Sequence, residues 1–397
     1  MFLLQVGSAK VSGSKNDQRE KKIQELIGKM TLKEKIGQMA QFDPYQLGNE
    51  EQMRQAIKEG KVGSILNLTG AARVNELQHI AVEDSRLGIP MIIGRDVIHG
   101  YRTIMPIPLG LAAGWNAEMT EKTMAVAAEE AASEGIHWTF APMIDISRDP
   151  RWGRIAESCG EDTYLSSVLA EAMVKGLQGD DLSDPKTIAA CAKHYVGYGA
   201  AEGGRDYNTT LIPETQLRND YLPPFKAAKD AGVATFMSAF NDINGVPASG
   251  NEFTLKTILR DEWNYDGMVV SDWASIAEMI THGFAADKKN KTGKQPGDVL
   301  SVRVLDKGPD IRRTGERSTQ ASCRTFFSRS RYSGPGPGPA GRMEPSGFRE
   351  ICLGFQVVRA SHGLRCRPGN IWVVRRTDNP QGEGHPGRIC CCQNLGT

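Results

Sequence analysis

Long hydrophobic runs are missing from this sequence. No stretch approaches the roughly 20 apolar residues that a membrane-spanning helix requires, so no membrane partner is expected. Metal-ligand spacing is missing as well: neither HExxH nor a paired CxxC occurs, and no GxGxxG or P-loop follows a strand-like run. No metal and no cofactor is therefore expected. Of the eight cysteines only Cys159 and Cys191 precede residue 288, which excludes a disulfide framework in that part. The others (Cys323, Cys352, Cys366, Cys390, Cys391 and Cys392) crowd into the C-terminal stretch. A charge excess of one sign is absent overall, the net charge being +1, yet residues 291–397 hold 18 Lys and Arg against 8 Asp and Glu. This shift of composition marks a boundary near residue 287. The start, MFLLQVGSAK, has a short apolar run and no basic n-region, which makes a poor secretory leader. Were it the stub of a longer leader the protein would be periplasmic or secreted, and otherwise cytoplasmic.

What the sequence does contain is alternation. After a polar start, expected to be a flexible N-terminus over residues 1–21, Ile23, Leu26, Ile27 and Met30 follow helical spacing. Thr31 and Glu34 read as a capping box for a second helix. Apolar runs that suit buried strands cover residues 63–68, 90–94, 138–146, 187–192, 234–240 and 267–271, and residues 36–42 fit either a first strand or part of a helix. Helical segments lie between them, at 119–134 before Gly135, 165–177, and 214–230 after Pro213. Strand and helix in steady exchange imply βαβ crossovers and a parallel sheet.

The polar residues decide between architectures. Asp96, Asp145, Lys193 with His194, Met237 and Asp272 each come directly after an apolar run, at the expected C-terminal end of a strand. A (β/α)8 TIM-like barrel gathers those ends on one face, where its active sites are built. The reading is therefore an α/β barrel over residues 22–287, incomplete at the eighth unit, with a doubly wound sheet as the alternative.

Four clusters carry chemistry. In GMVVSDWASI (267–276), Asp272 is placed either to attack an anomeric carbon beside an aromatic, Trp273, or to cap a helix starting near Ala274. In CAKHYVGYGA (191–200), Lys193 and His194 are placed to donate to vicinal hydroxyls, or are a surface lysine beside a satisfied core histidine. SRDPRWGRIAESCGED (147–162) is too polar for a core; Arg154 suits sugar hydroxyls, while Arg148, Asp149, Arg151, Glu157, Glu161 and Asp162 suit the ion pairs that hold a loop. In IIGRDVIHG (92–100), Asp96 is placed to accept from two adjacent hydroxyls, and His99 reads as a packing residue.

The order and spacing of GRDVIHG, RDPRWGR, GED, KH, EGGRDYN, MSAFNDING and VVSDW resemble glycoside hydrolase family 3, β-glucosidase branch, over residues 22–287. The resemblance implies hydrolysis of terminal non-reducing β-D-glucosyl residues by a retaining, two-step mechanism on a β-glucoside or oligosaccharide. It assigns Asp272 as nucleophile, and Asp96, Arg154, Lys193, His194, Met237 and Trp273 as the walls and donors of the sugar subsite. A β-xylosidase or β-glucan glucohydrolase of the same family, or a non-catalytic barrel remnant, is the alternative. Two departures stand out. Phe240 occupies a position where many members carry Tyr, and the loop after Lys193 and His194 lacks the histidine of the N-acetylglucosaminidase branch. The resemblance stops near residue 287, before the sandwich domain that supplies the acid/base glutamate in β-glucosidases of the family.

Beyond that point KKNKTGKQPGD has no apolar face for an eighth helix, although residues 298–302 sit where an eighth strand belongs. Residues 288–397, rich in Gly, Pro, Arg and Cys, read as an aberrant tail, out of frame or truncated, with non-native or disordered conformation. A nucleic-acid partner is not expected of it, since aromatic interleaving and helical periodicity are lacking. A barrel missing its eighth unit would expose two strand edges and self-associate through them.

Overall fold

The computed structural model describes residues 13–279. Helix α1 (Gly13–Lys29) buries Ile23 and Ile27, the apolar positions that its spacing marks, and it runs across the boundary expected between residues 21 and 22. The capping box forms: Thr31 Oγ1 accepts from the Glu34 N–H, and the Glu34 carboxylate accepts from the Thr31 N–H at 2.8 Å. It starts α2 (Leu32–Gln38), so Ile36 is helical and strand β1 is confined to Gln41–Phe42.

From here strands and helices alternate. In order come α3 (Glu50–Lys58), β2 (Ser64–Leu66), α4 (Ala71–His79), β3 (Ile92–Arg95), α5 (Pro108–Ala113) and α6 (Ala117–Ser133). Then follow β4 (Trp138–Thr139), α7 (Thr163–Gln178), β5 (Cys191–Tyr195), α8 (Glu214–Gln216) and α9 (Pro223–Asp230). The described chain ends with β6 (Thr235–Ser238), a short antiparallel hairpin of β7 (Asp242–Ile243) and β8 (Val246–Pro247), β9 (Met268–Ser271) and α10 (Ser275–Glu278).

Strands β1 to β4 pair in parallel, as do β5, β6 and β9. Parallel bridges from Trp138 to Ala189 and from Met143 to Lys193 join the two groups. Seven parallel strands thus neighbour one another in chain order, with no reversal. That order belongs to a barrel wall and overturns the doubly wound alternative, whose strand order reverses at a switch point. Among the described residues β1 and β9 are not paired with each other, so these residues form a seven-strand wall that does not close. The expected eighth strand at 298–302 and the tail at 288–397 lie outside the described residues.

Three expected elements differ, each for a local reason. The strand expected over 138–146 pairs continuously only at Trp138–Thr139, because Pro142 has no N–H to give to a ladder. Pairing resumes as the single Met143 bridge. The helix expected over 214–230 is broken into α8, a wide π turn at Leu217–Tyr221 and α9, since Pro223 and Pro224 cannot donate back to the preceding turn. The strand expected over 187–192 begins later, at Cys191, and carries Lys193 and His194 within it rather than after it.

Helices α6, α7 and α9 cover the outside of β4 to β6 with Met124, Ala127, Leu169, Met173, Leu177, Phe225 and Ala228, all buried. α6 and α7 pack tightly at Gly176, where an added Cβ would come within 2.3 Å of the Glu121 carbonyl oxygen and 2.8 Å of Met124 Cβ. Alanine in place of a mid-helix glycine ordinarily stabilises by about 0.5–1 kcal/mol. At this contact the sign reverses, because backbone on the other side cannot yield. Gly176→Ala is expected to destabilise by about 1–3 kcal/mol, read as a fall in melting temperature. A variant melting at or above the parent would show that α6 and α7 slide apart freely.

Candidate active site

Because the strands are parallel, their C-terminal ends share one face, and the residues singled out on strands collect there. Asp272 follows β9, with its N–H donating to the Ser238 carbonyl at 3.2 Å. It does not cap a helix: α10 starts at Ser275, behind Ala274 at φ 57°, and no side chain caps it. Instead Asp272 Oδ1 accepts from the Trp273 N–H at 2.6 Å, while the buried Oδ2 accepts no hydrogen bond among the described residues. His194 Nε2 stands 3.2 Å from that free oxygen. Burial raises the Asp272 carboxyl above its ordinary 3.8 to about 6, against the pull of Lys193 and Arg154.

Lys193 and His194 are nearly fully buried in β5, with side-chain exposures of 4% and 1%. Lys193 Nζ donates to Asp96 Oδ1 at 2.7 Å, and Asp96, directly after β3, is half exposed at the mouth. This pair holds the lysine head on the strand-end face, so the surface-lysine reading fails. His194 meets Asp145 twice: its backbone N–H donates to Oδ2 at 3.0 Å, and its Nδ1 lies 2.8 Å from the same atom. Burial, reinforced by Arg154 and Lys193, holds the His194 ring well below its usual pKa, so it is neutral. Burial also lifts Asp145 to about 7, although the His194 N–H pulls the other way.

Arg154 arrives on the loop after β4. Its guanidinium pairs with Glu157 (Nε–Oε1 2.7 Å) and stacks 5.6 Å over the Tyr198 ring. Of the ion pairs expected to hold the rest of that loop, those of Arg148, Asp149, Arg151 and Glu157 form, whereas Asp162 is a helix cap and not an ion-pair partner. Arg151 bonds to Asp149, Arg148 to Glu202 and the Tyr221 hydroxyl, and Asp162 Oδ1 caps α7 through the Leu165 N–H at 2.6 Å. His99 exchanges contacts with the Met105 backbone, in keeping with a packing role.

Met237, inside β6, is buried in a cluster that Trp273 covers, and Tyr45 stands 6.4 Å from the Trp273 ring. Phe240 sits among the rings of His194, Tyr198 and Tyr207. Two residues were missed by sequence reasoning as part of the site. Asp145 had a signal in its strand-end position, but its partner lies 49 residues away. Glu278, on α10, had none; burial and the neighbouring Asp272 charge raise its carboxyl to about 7.

Comparison with known proteins completes the picture. The profile of the glycosyl hydrolase family 3 N terminal domain matches residues 31–297. The chain belongs to glycosyl hydrolase family 3. It is 44% identical over 293 residues to a periplasmic beta-glucosidase of Salmonella typhimurium, covering 74% of this chain and 37% of that protein. A beta-xylosidase of Formosa agariphila is 34% identical over 288 residues, with 72% and 36% covered. Among solved structures, a beta-glucosidase from Listeria innocua in complex with glucose superposes with a TM-score of 0.65 at 36% identity, over 76% of this chain and 47% of that one. The chain thus spans less than half the length of these relatives, and these family 3 neighbours agree with the TIM-barrel-like α/β order of its strands.

The raised Asp272 pKa has a consequence for stability. Its folded-state carboxyl binds a proton more tightly than the unfolded one, so ionisation costs folding free energy, increasingly from pH 3.8 to about 6 and constantly above. Asp272→Asn removes the charge. It is expected to stabilise by about 2–3 kcal/mol at pH 7.5, with the gain shrinking to nothing near pH 3.5. Thermal melts of both proteins across that range check this, and a gain independent of pH would rule out the charge as its source.

Proposed function

We propose that this chain carries the nucleophile and sugar-binding half of a retaining glycosidase acting on terminal β-D-glucosyl residues. The observation that supports it best is the free, buried Oδ2 of Asp272, facing the strand ends that bear Lys193, His194 and Asp96, with Arg154 beside them. An acceptor-only carboxylate amid fixed donors suits attack on an anomeric carbon whose hydroxyl neighbours those donors orient. In the first step an Asp272 oxygen forms a bond to C1 as the C1–O bond to the leaving group breaks, and the departing oxygen takes up a proton. In the second, water attacks C1, frees the carboxylate and yields the sugar with its original anomeric configuration. Lys193 and Asp96 are read as a joined donor and acceptor for adjacent hydroxyls, Arg154 as a further cationic donor, and Met237 and Trp273 as apolar walls.

A β-xyloside is the second reading, favoured by the Formosa relative. A set of aryl β-glucosides and β-xylosides with equal leaving groups separates the two by their kcat/KM ratio.

Dinitrophenolate departs without needing a proton, so a dinitrophenyl 2-deoxy-2-fluoro-β-glucoside isolates the nucleophile from any general acid. It is expected to form one covalent adduct, located at Asp272 by peptide mass spectrometry. The labelling rate should rise with pH through about 6 as Asp272 ionises and level off above it. An adduct on another carboxylate, retained in Asp272→Ala, would sink the assignment.

A further inference from the structure

We propose that Asp145 is a positioning residue that fixes which nitrogen of His194 carries the proton, so that Nε2–H points at the free oxygen of Asp272. The inference rests on contacts 2.8 and 3.2 Å long on opposite sides of one buried ring. At 2.8 Å between Asp145 Oδ2 and His194 Nδ1, one proton lies between the two atoms. On the far side, Nε2 faces Asp272 Oδ2. A bare lone pair there would repel an ionised carboxylate in a site that excludes water, whereas an N–H attracts it. With Asp272 ionised and the ring neutral, both contacts are favourable together in one arrangement: Asp145 protonated on Oδ2 and donating to Nδ1, the same oxygen still accepting the His194 backbone N–H, and the ring donating through Nε2.

The surroundings of Asp145 favour that arrangement. Its side chain is fully buried, and its Oδ1 accepts no hydrogen bond among the described residues, a poor place for a full negative charge. The charged groups that act on it are Arg154, Lys193 and Glu157. Arg154 and Lys193 are each paired to a carboxylate of their own, Glu157 and Asp96. Burial above all, and these two cations with it, disfavour a second proton on the ring and keep His194 neutral. The role rests on the glycosidase reading only for its kinetic consequence; the placement of the protons stands apart from it.

Chain labelled with [15N]histidine tests the placement directly, the His194 signals being those lost in His194→Gln. At pH 6.5, between the values of about 6 for Asp272 and about 7 for Asp145, the nitrogen shifts are expected to show a protonated Nε2 and an accepting Nδ1. Asp145→Asn can still present an N–H to Nδ1, at the cost of the His194 backbone N–H that Oδ2 accepts, so it should keep that tautomer and more of the fluoroglucoside labelling rate than a variant with no donor. Asp145→Leu should mix the tautomers and slow labelling about 10- to 100-fold, the worth of one hydrogen bond to a charged group. Circular dichroism of each variant establishes that it is folded. A proton on Nδ1 with a bare Nε2 in the unsubstituted chain would overturn the proposal. So would an Asn variant that is folded yet labels no faster than the Leu variant. Absence of labelling in the unsubstituted chain would tell against the glycosidase reading, and the nitrogen shifts would still decide the role of Asp145.

Discussion

Keeping a buried carboxylate oxygen clear of any directly bonded cation is the constraint on which this site depends. Water would ordinarily solvate Asp272, and the described fold replaces it with a neutral imidazole, two nearby cations and one backbone N–H. Each cation is in turn restrained by a carboxylate, Lys193 by Asp96 and Arg154 by Glu157. The pairs keep the cations near enough to temper the rise in the Asp272 pKa without either bonding directly to Oδ2. Direct bonding of either cation to Oδ2 would favour the charged form and pull the pKa down instead. Without such a bond the carboxyl stays raised, to about 6, and is still ionised at neutral pH.

That arrangement follows from parallel strands. β6 and β9 are in register from Thr235 against Met268 to Ser238 against Ser271, and β5 pairs with β6 on either side of an irregularity at Lys193 and His194, so these two, Met237 and Asp272 all gather toward the same ends of the strands. Gln178, at the end of α7, accepts from the N–H groups of Ala190 and Ala234, tying the entries of β5 and β6 together at the opposite end. Residues on strands are therefore placed by a ladder of backbone bonds, whereas Arg154 depends on a loop. The ion pairs and the Asp162 cap on that loop do for it what the ladder does for the others.

Much of this is readable along the chain because it is local. The capping box at Thr31, the end of α6 at Gly135 and the strand-end carboxylates depend on spacing within a few residues. The sites of disagreement are equally physical. Pro142, Pro223 and Pro224 removed donors from segments whose apolar pattern alone looked continuous, and the missing N–H weighed more than the periodicity. Asp145 was visible as a polar residue after an apolar run. Its importance was not, since it comes from a contact to His194 that exists only once β4 and β5 lie side by side.

The same contact explains why the histidine has to sit within a strand. A histidine on a loop can turn its ring to satisfy either nitrogen, and water can serve whichever is left over. In β5 the backbone N–H of His194 is itself bonded to Asp145 Oδ2, so ring and main chain are clamped to one oxygen. With rotation blocked on that side, the edge-on contacts of the ring with Tyr198 and its tilted contact with Phe240 leave Nε2 one direction to face. The aromatic cluster and the buried carboxyl thus act on the same degree of freedom. Phe240, having no hydroxyl, adds shape to that cluster without offering the ring a competing hydrogen bond, and Nε2 is left to Asp272.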